Sequence, residues 1–364
     1  MEPSMDFLKF LDPDTSLMIL NRLDVPADLV RVSAVSHDWQ DYVIEHELGK
    51  QLCLKKFPQV SSFPQVALAS GTEMPDVVWS SSSMAWGSKK RGHIVYASLA
   101  HVLDSAKKWS CIAEAICASS TDHRLEENID NTLIQSDRIE QRASYWSSKG
   151  QSDPDVPESL IYKLTSSLCL VNEVYIQPFQ AYFQQGYPIY SSRYVRFRMG
   201  HPKSPLKLVL EYARLDKLTD EDFVWNYTSP EFPMLQERSL QKFQLPEPAL
   251  CIGGYLKIEL LGRVQRQDLD DMYYICVSHV RADGMSLSPK FTIKILSTLQ
   301  NWGKFVLEYN PNAVIIPPNG TCTSIIEFRD EEAPGHQNWG QFINMLQAYI
   351  LGEDEDENMD GNGT

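Results

Sequence analysis

The acidic run Asp268-Leu269-Asp270-Asp271 is the first candidate for chemistry in this sequence. Two neighbouring carboxyl groups can hydrolyse a glycosidic bond when a pocket keeps one of them protonated. Here the acidic side chains follow one another between two apolar strand patterns, which is typical of an exposed turn. We therefore expect these residues to be solvated and not catalytic.

Other residue types that often do chemistry lack the required spacing. The eight histidines show neither the H-x-x-x-H nor the H-E-x-x-H pattern of a zinc site. No nucleophile elbow, phosphate-binding loop or dinucleotide-binding glycine pattern stands between a strand and a helix. The sequence predicts a protein that is not an enzyme and uses no metal or cofactor.

A loop rich in glutamine and aromatic residues, 177–188, is the best candidate for a recognition surface. Aromatic rings supply rigid contact area and amides supply hydrogen bonds, which suits the binding of protein or sugar. The predicted substrate-binding residues are Gln180, Tyr182, Gln184, Gln185 and Tyr187. The alternative is that Phe179 and Phe183 close the end of a domain while the rest of the loop is solvated.

An alternating apolar pattern between about residues 111 and 284 indicates the elements that would position this loop. Val195–Met199 and Leu256–Leu260 each place apolar side chains on one face and charged side chains on the other. Further strands are predicted at Val174–Ile176, Leu206–Leu210 and Tyr273–Val277, with turns at 185–188, 201–202, 253–254 and 283–284. Many short strands of this kind predict a two-sheet sandwich.

Three short helices are predicted at the start of the chain. Asp12 can cap the first helix, Pro13 suits its first position, and Ser36 can cap the third. Helices this small cannot bury their own apolar faces, so we expect them to dock on another polypeptide. The residues predicted to build this module and its docking surface are Leu11, Pro13, Leu17, Leu20, Leu23, Leu29, Val32, Val35 and Trp39.

Residues 7–57 resemble the F-box family. The matching residues are Leu11, Ile19–Leu23, Asp28-Leu29, Arg31-Val32, Val35 and Trp39. Since F-box domains bind a Skp-family adaptor that bridges to a cullin–RING ubiquitin ligase, the resemblance implies those partners. The chain departs from the family where Asp12 separates Leu11 from Pro13, and where Ser36-His37-Asp38 replaces the usual Cys-Arg. The alternative is an ordinary helical hairpin belonging to the larger domain.

The sandwich region resembles a discoidin-type, galactose-binding-like jelly roll. The matching elements are Ala118-Ser119-Ser120, Asn128–Leu133, Tyr145–Gly150 and Gly254–Leu260. An F-box followed by this jelly roll resembles a plant F-box family, which implies a substrate receptor of a ubiquitin ligase. Some jelly rolls of this type bind calcium in an acidic first loop, where this chain has Asp122, Glu126, Glu127 and Asp130. Calcium needs six or more oxygen ligands, so our expectation remains that no metal is bound.

The predicted fold class is α+β and multidomain, with an all-α F-box, an all-β jelly-roll sandwich and a C-terminal strand-and-helix extension. The predicted boundaries are 1–57 for the F-box, 58–110 for a linker and helix, 111–284 for the jelly roll, 285–351 for an extension packed on the sandwich, and 352–364 for a disordered acidic tail. Within these regions we expect a helix over about 95–106, strands at Phe291–Leu296, Phe305–Tyr309 and Ser324–Phe328, and a helix carrying Trp339, Phe342, Ile343, Leu346 and Ile350.

Composition excludes several partner classes. The net charge of −15 and the lack of a basic patch argue against nucleic acid. No segment of about 20 uninterrupted apolar residues occurs, so we expect no membrane span. Seven cysteines, an odd number without a C-x-x-C pair, suit reduced thiols in the cytoplasm or nucleus.

We therefore expect a substrate-recognition subunit of an SCF-type ligase, with the jelly roll binding the target protein. No residue of the chain would react, because such a receptor acts by holding its target near an activated ubiquitin carrier. The alternative is a lectin-like carbohydrate-binding protein in which the jelly roll is the functional site. The sequence leaves open the target's identity, including whether it is a glycoprotein.

Overall fold

A computed structural model describes residues 6–63, 65–68, 81–105, 108–139, 141–203, 220–296 and 304–313. Within these ranges the α-helices are α1 (Phe7–Phe10), α2 (Pro13–Leu20), α3 (Pro26–Ser33), α4 (His37–Glu45), α5 (Leu48–Lys56) and α6 (Ser81–Ser105). All of them precede the long strands of the chain, as predicted.

Local capping explains where the first helices begin. The Asp12 carboxylate accepts a hydrogen bond from the Thr15 backbone N–H at 2.9 Å, and Pro13 opens α2. The Ser36 hydroxyl accepts one from the Trp39 backbone N–H at 3.3 Å, at the start of α4. Both bonds satisfy backbone donors that a helix leaves free at its N-terminus. Both predicted caps are confirmed.

Helix α6 is longer than predicted, since it begins at Ser81 and not near Val95. It contacts α3, α4 and α5. This packing stabilises the helix over residues that the sequence analysis placed in a linker. The serine-rich composition of that region did not indicate a helix. Gly49 of α5 permits the close approach, because a Cβ there would lie 2.9 Å from the His93 Nδ1 of α6.

The strands of the described residues are β1 (Gln65–Leu68), β2 (Trp109–Ser110), β3 (Ile112–Ala118), β4 (Arg138–Ile139), β5 (Arg142–Ala143), β6 (Trp146–Ser147), β7 (Glu158–Leu164), β8 (Leu168–Gln180), β9 (Ile189–Tyr190), β10 (Ser192–Pro202), β11 (Phe223–Thr228), β12 (Phe232–Pro233), β13 (Gln241–Ile252), β14 (Tyr255–Arg263), β15 (Cys276–Ser286), β16 (Phe291–Leu296) and β17 (Lys304–Tyr309). One antiparallel sheet has the order β11-β10-β14-β7-β3, with β12 paired to β10. A second has the order β13-β8-β15-β2, with β6 paired to β15 and β9 to β8. The predicted all-β sandwich is confirmed.

The main core lies between these two sheets. On β10, Val195, Phe197 and Met199 are fully buried, whereas the alternate residues Arg196 and Arg198 are half-buried on the outer face. Phe197 pairs in register with Ile258 of β14, which is also buried in this core. The alternation that predicted these strands therefore reports which face each side chain occupies.

Two of the predicted turns are wrong. His201-Pro202 lies at the end of β10 and Asp283-Gly284 lies inside β15. The pairing of β15 with β8 shifts by one register step between Asp283 and Gly284, and a Cβ on Gly284 would lie 2.3 Å from the Leu170 carbonyl oxygen. This glycine therefore serves a β-bulge with close strand approach. The turn at Gly253-Gly254 is confirmed, with positive φ at both residues.

A second apolar core joins the helices to the outer face of the β13-β8-β15-β2 sheet. On β8, Cys169 and Val171 face the sandwich core, whereas the alternate residues Leu168 and Leu170 belong to the second core. The other members include residues of α5, α6, β16 and β17. Strands β16 and β17, both predicted, form a separate sheet of order β1-β17-β16 and do not extend the sandwich.

All described residues fall within one unit, Met1–Ile315. The predicted domain boundaries stay predictions. The predicted strands at Leu206–Leu210 and Ser324–Phe328, the helix from Trp339 to Ile350, Cys322 and the acidic tail lie outside the described residues. Among the residues described, no helix is long and apolar enough to cross a membrane.

Candidate functional site

The acidic turn forms as predicted and shows only local bonds. Asp268, Asp270 and Asp271 are exposed. The Asp270 carboxylate accepts a hydrogen bond from the Tyr274 hydroxyl, and the Asp271 carboxylate pairs with Arg266. These contacts fix the turn and leave its carboxylates exposed to solvent.

The four acidic residues of the first loop are not brought together. Among the described residues, the side chains that approach within 4.8 Å of one another here are those of Asp122, His123 and Glu127, without Glu126 and Asp130. Calcium prefers six or more oxygen ligands, and this set offers two carboxylates and an imidazole. The calcium interpretation therefore gains no support from the geometry.

Most cysteine thiols among the described residues are buried. Six cysteines are free, and of these only Cys117 is not buried. Burial raises the pKa of the Cys53, Cys251 and Cys276 thiols to about 12 in each case. Since the thiolate is the reactive form, such thiols are inert packing groups.

Helices α2 and α3 carry an exposed apolar ridge. Met18 is 66% exposed, Ile19 45%, Val30 48% and Val35 62%. Phe10, Leu11 and Val25 are also exposed large apolar residues in this region. No described element covers these side chains. We define the aliphatic ridge as Met18, Ile19, Val25, Val30 and Val35.

The predicted docking residues divide between this surface and its support. Leu11, Pro13 and Val35 are exposed, and Leu17, Leu23, Val32 and Trp39 are half-buried. Leu20 and Leu29 are buried in the helical core, at 4% and 2% exposed. They help line a groove of about 300 Å³ between α2, α3 and α5.

Sequence reasoning did not name Met18, Val25 and Val30 as docking residues, and it named Ile19 only as part of the F-box match. A signal was present, because α2 is apolar all round over Leu17–Leu20. Such a helix needs cover on two sides.

The glutamine-rich loop lies at one end of the sandwich, and much of its polarity is used internally. The Gln180 Nε2 donates to the Tyr187 carbonyl oxygen at 3.2 Å, and the Gln184 Oε1 accepts from the Tyr190 hydroxyl at 2.6 Å. The Tyr182 ring lies under Arg138, 3.9 Å from ring centroid to guanidinium. Gln185 and Tyr187 are exposed, so they keep free contact surface.

Phe179 and Phe183, predicted as a pair that could close the sandwich end, behave differently. Phe179 is buried and stacks on Tyr145, with ring centroids 3.9 Å apart. Phe183 is 56% exposed. The Tyr145–Phe179 stack closes the end of the sandwich, and Phe183 projects beyond it.

A groove of about 340 Å³ opens beside Phe183. It is lined by Leu125, Glu126, Glu127, Asn131, Ile139, Arg142, Ala143, Ser144, Tyr145 and Phe183. The Tyr145 hydroxyl donates to the Glu127 Oε1 at 2.5 Å. Burial, followed by this bond to an anion, raises the pKa of Tyr145. Tyr145 therefore stays protonated and fixes one oxygen of the Glu127 carboxylate. We call this the sandwich-end groove.

A fully buried ion pair holds the loop that carries this groove. The Arg263 Nη2 and Glu158 Oε1 lie 2.5 Å apart, with the two side chains 0% and 3% exposed. The Ser120 hydroxyl donates to the same oxygen, Glu158 Oε1, at 2.7 Å, and the Arg263 Nη1 donates to the Ser148 hydroxyl at 2.8 Å. Ser119 also donates to Glu158. Ser119, Ser120 and Ser148, which belong to the two serine motifs of the jelly-roll resemblance, therefore meet at this pair. The sequence analysis did not identify Glu158 or Arg263 as important.

The described architecture is a capped helical module joined to an antiparallel sandwich, the arrangement predicted for an F-box protein with a jelly roll. F-box protein At4g00755 of Arabidopsis thaliana is 49% identical to this chain over 313 residues, which are 84% of this chain and 83% of that protein. This chain therefore belongs to the F-box protein family. No protein-family model matches it.

Solved structures give weaker likenesses. CBM32-3 from a family 31 glycoside hydrolase of Clostridium perfringens has a TM-score of 0.31 and 15% identity, covering 47% of this chain and 90% of that one. The family 32 module of C. perfringens NanJ, in complex with galactose, has a TM-score of 0.29 and 11% identity, covering 47% and 98%. At these scores the likeness carries no argument, and the description of the sandwich rests on its strand pairing.

Proposed function

We infer that the protein is the substrate-recognition subunit of an SCF-type cullin–RING ubiquitin ligase. Membership of the F-box family supports this role. The observation that carries the proposal is the uncovered aliphatic ridge on α2 and α3, since exposed apolar patches of this kind mark protein-binding surfaces. The chain contributes no reacting residue and acts by bringing its target close to the ubiquitin carrier.

The Skp-family adaptor docks on the aliphatic ridge. Leu11, Pro13, Leu17, Leu23, Val32, Val35 and Trp39 border it, and Leu20 and Leu29 support it from below. Binding buries the ridge side chains, each of which contributes about 1–2 kcal/mol when removed from water. A cullin is reached through the adaptor. The six free cysteines support work in a reducing compartment, the cytoplasm or nucleus.

The loops at the sandwich end hold the target protein. Gln185 and Tyr187 present exposed polar and aromatic surface there, and Phe183 adds an exposed ring. Gln180, Tyr182 and Gln184 shape the loop from within. The second core supports a fixed geometry between the two binding surfaces, because α5, α6 and β8 share it.

Charged substitution on the ridge tests the adaptor interface. The double variant Met18→Asp with Ile19→Asp places two carboxylates on a surface that must be desolvated, so adaptor affinity should fall at least about a hundredfold. Binding to a purified Skp-family adaptor would be measured by biolayer interferometry on the full chain. The matched control is Leu269→Asp, an exposed leucine in the acidic turn of the sandwich, which should bind as the wild type does.

Circular dichroism and the unfolding midpoint of the double variant verify the fold, because both residues are solvent-exposed in the wild type. Adaptor binding by the folded double variant at wild-type affinity would reject the proposed interface. Failure of the wild-type chain to bind any Skp-family adaptor would reject the ligase role itself.

A further inference from the structure

The rim of the sandwich-end groove carries apolar side chains that nothing in the described chain covers. Leu125 is 97% exposed, Phe183 56% and Ile139 39%. All three line the same groove. Leaving large apolar groups in water forgoes their burial energy, so three around one groove point to a binding site.

Two residues that line the groove, Glu127 and Ser144, have buried polar atoms without partners. Among the described residues, neither the Glu127 Oε2 nor the Ser144 Oγ has a hydrogen-bond partner, although both atoms are buried. The Ser144 side chain belongs to a residue that is only 1% exposed. A buried polar atom costs about 1–3 kcal/mol when no partner satisfies it. A ligand that donates to both oxygens would recover that cost.

Neither the Asn131 amide nor the nearby His123 ring forms a hydrogen bond with these two atoms. The Asn131 amide donates instead to the carbonyl oxygens of Glu126 and Tyr145, at 2.7 and 2.9 Å. The His123 Nδ1 lies 3.7 Å from the Glu127 Oε2, a distance beyond a hydrogen bond. The described part of the groove therefore lacks a hydrogen-bond donor for the Glu127 Oε2 and the Ser144 Oγ.

The charge of the residues that line the groove determines whether a neutral or a cationic hydrogen-bond donor is favoured. The lining residues include two acidic side chains, Glu126 and Glu127, and one basic side chain, Arg142. The Glu127 carboxylate has one oxygen bonded to the Tyr145 hydroxyl and one buried oxygen without a partner among the described residues, which is costly for a charged group. A neutral sugar hydroxyl would leave that charge uncompensated, whereas an ammonium or guanidinium group would neutralise it and donate several hydrogen bonds.

We propose that the sandwich-end groove binds a lysine or arginine side chain of the target protein. The cation pairs with Glu127 and donates to Ser144, and an adjacent aliphatic residue of the same peptide packs on Leu125, Ile139 and Phe183. This recognition element deepens the proposed ligase role and rests on it, since it defines which segment of a target the receptor holds.

Peptide pools test the inference on the full chain bound to its Skp-family adaptor. The probes are immobilised seven-residue pools with Lys, Arg, Gln or Asp at the centre, leucine on both sides and mixed residues elsewhere. A charge-assisted pair is worth about 1.5 kcal/mol or more, so the Lys and Arg pools should bind at least about tenfold more protein than the Gln pool.

Three variants separate the groove from general attraction of basic peptides to an acidic protein. Glu127→Gln keeps an oxygen for the Tyr145 hydroxyl and should abolish the tenfold preference. Leu125→Ser alters a side chain that is almost wholly exposed, so it should fold normally and weaken every pool about threefold or more. Glu221→Gln, the control, removes an equal charge at an exposed residue outside the groove and should leave binding within about twofold.

Equal binding of the Lys, Arg, Gln and Asp pools would overturn the inference. So would a preference for basic pools that Glu127→Gln and Glu221→Gln reduce equally, or binding of a fluorescent galactoside in the groove while every peptide pool fails. Adaptor affinity is measured on the same samples. If the protein still binds the adaptor but shows no peptide preference, only this inference is overturned. If the protein does not bind the adaptor, the ligase role is rejected.

Discussion

Exposed apolar side chains cluster in two regions of this protein, on helices α2 and α3 and around the sandwich-end groove. The aliphatic ridge consists of uncharged side chains such as Met18 and Val35. The groove combines a similar rim with two buried oxygen atoms that lack hydrogen-bond partners among the described residues, the Glu127 Oε2 and the Ser144 Oγ. The two regions therefore offer different chemistry to whatever covers them.

This difference matches two kinds of recognition. A purely aliphatic surface gains energy from burial and shape, which suits one constant partner. A groove whose carboxylate keeps one buried oxygen without a hydrogen-bond donor favours ligands that supply a cation, so it can choose among many candidates. The contrast supports an adaptor on the helices and a selected target at the sandwich.

Breaking the buried ion pair between Glu158 and Arg263 should have the largest effect. Arg263→Met keeps the side-chain volume but leaves the Glu158 carboxylate buried without its countercharge. The free energy of unfolding should fall by about 3–5 kcal/mol. Chemical denaturation followed by tryptophan fluorescence measures it, and Trp146 of the adjoining strand β6, fully buried, reports on this region.

Arg266→Met is the matched control in the same domain. Arg266 pairs with Asp271, and both side chains are more than half exposed, at 51% and 73%. Its loss should cost less than about 1 kcal/mol. Equal destabilisation by the two substitutions would mean that Glu158–Arg263 does not hold the sandwich end together.

Neighbouring residues of α3 separate the helical core from the aliphatic ridge. Leu29 is 2% exposed and Val30 is 48% exposed. Leu29→Ala should lower the free energy of unfolding by about 2–4 kcal/mol, because it leaves a cavity in the helical core. Val30→Ala should change stability by less than about 0.5 kcal/mol and yet weaken adaptor binding severalfold.

Denaturation curves and adaptor titrations of both variants sharpen the comparison. If Val30→Ala destabilised the helices as much as Leu29→Ala, the ridge would be part of the core. If Val30→Ala and Leu29→Ala both bound adaptor at wild-type affinity, the adaptor would contact another surface.

Much of the fold was predictable from periodicity and capping. Asp12 and Ser36 cap helices because their side chains accept hydrogen bonds from backbone N–H groups three residues further along the chain. Such contacts depend only on the local sequence. The alternation at Val195–Met199 predicted a strand since one face is buried. Gly284 was misread as a turn because a bulge depends on the partner strand, which local sequence does not specify.

The site was less predictable, for a related reason. Its residues come from separate segments, as Leu125, Ser144 and Phe183 do, and only the closed sandwich brings them together. The predicted loop residues Gln180 and Gln184 instead satisfy their own loop. Whether a buried polar atom finds a partner depends on tertiary contacts, so Glu127 and Glu158 look alike in the sequence and differ in the structure.

Two glutamates of the sandwich extend this comparison, because Glu173 pairs with two lysines whereas Glu127 keeps one oxygen without a partner among the described residues. The Tyr175 hydroxyl donates to the Glu173 carboxylate at 2.6 Å, and the ammonium groups of Lys242 and Lys108 lie 3.0 and 3.3 Å from it. The Tyr175 hydrogen bond, followed by those of the two lysines, lowers the pKa of Glu173 to about 2 from an ordinary value of 4.5.

A carboxyl group with a depressed pKa in the folded state stabilises that state above its unfolded pKa and loses the effect as pH falls. Glu173→Gln should therefore be less stable than wild type at pH 6, and the difference should shrink as pH falls from about 4.5 towards about 2. Urea denaturation at pH 6, 4 and 3 measures this trend. Lys242→Met, which removes one donor, should show a smaller difference with the same sign. A difference between wild type and Glu173→Gln that stays constant with pH would show that these partners do not hold the carboxylate ionised, and the contrast with Glu127 would then lose its physical basis.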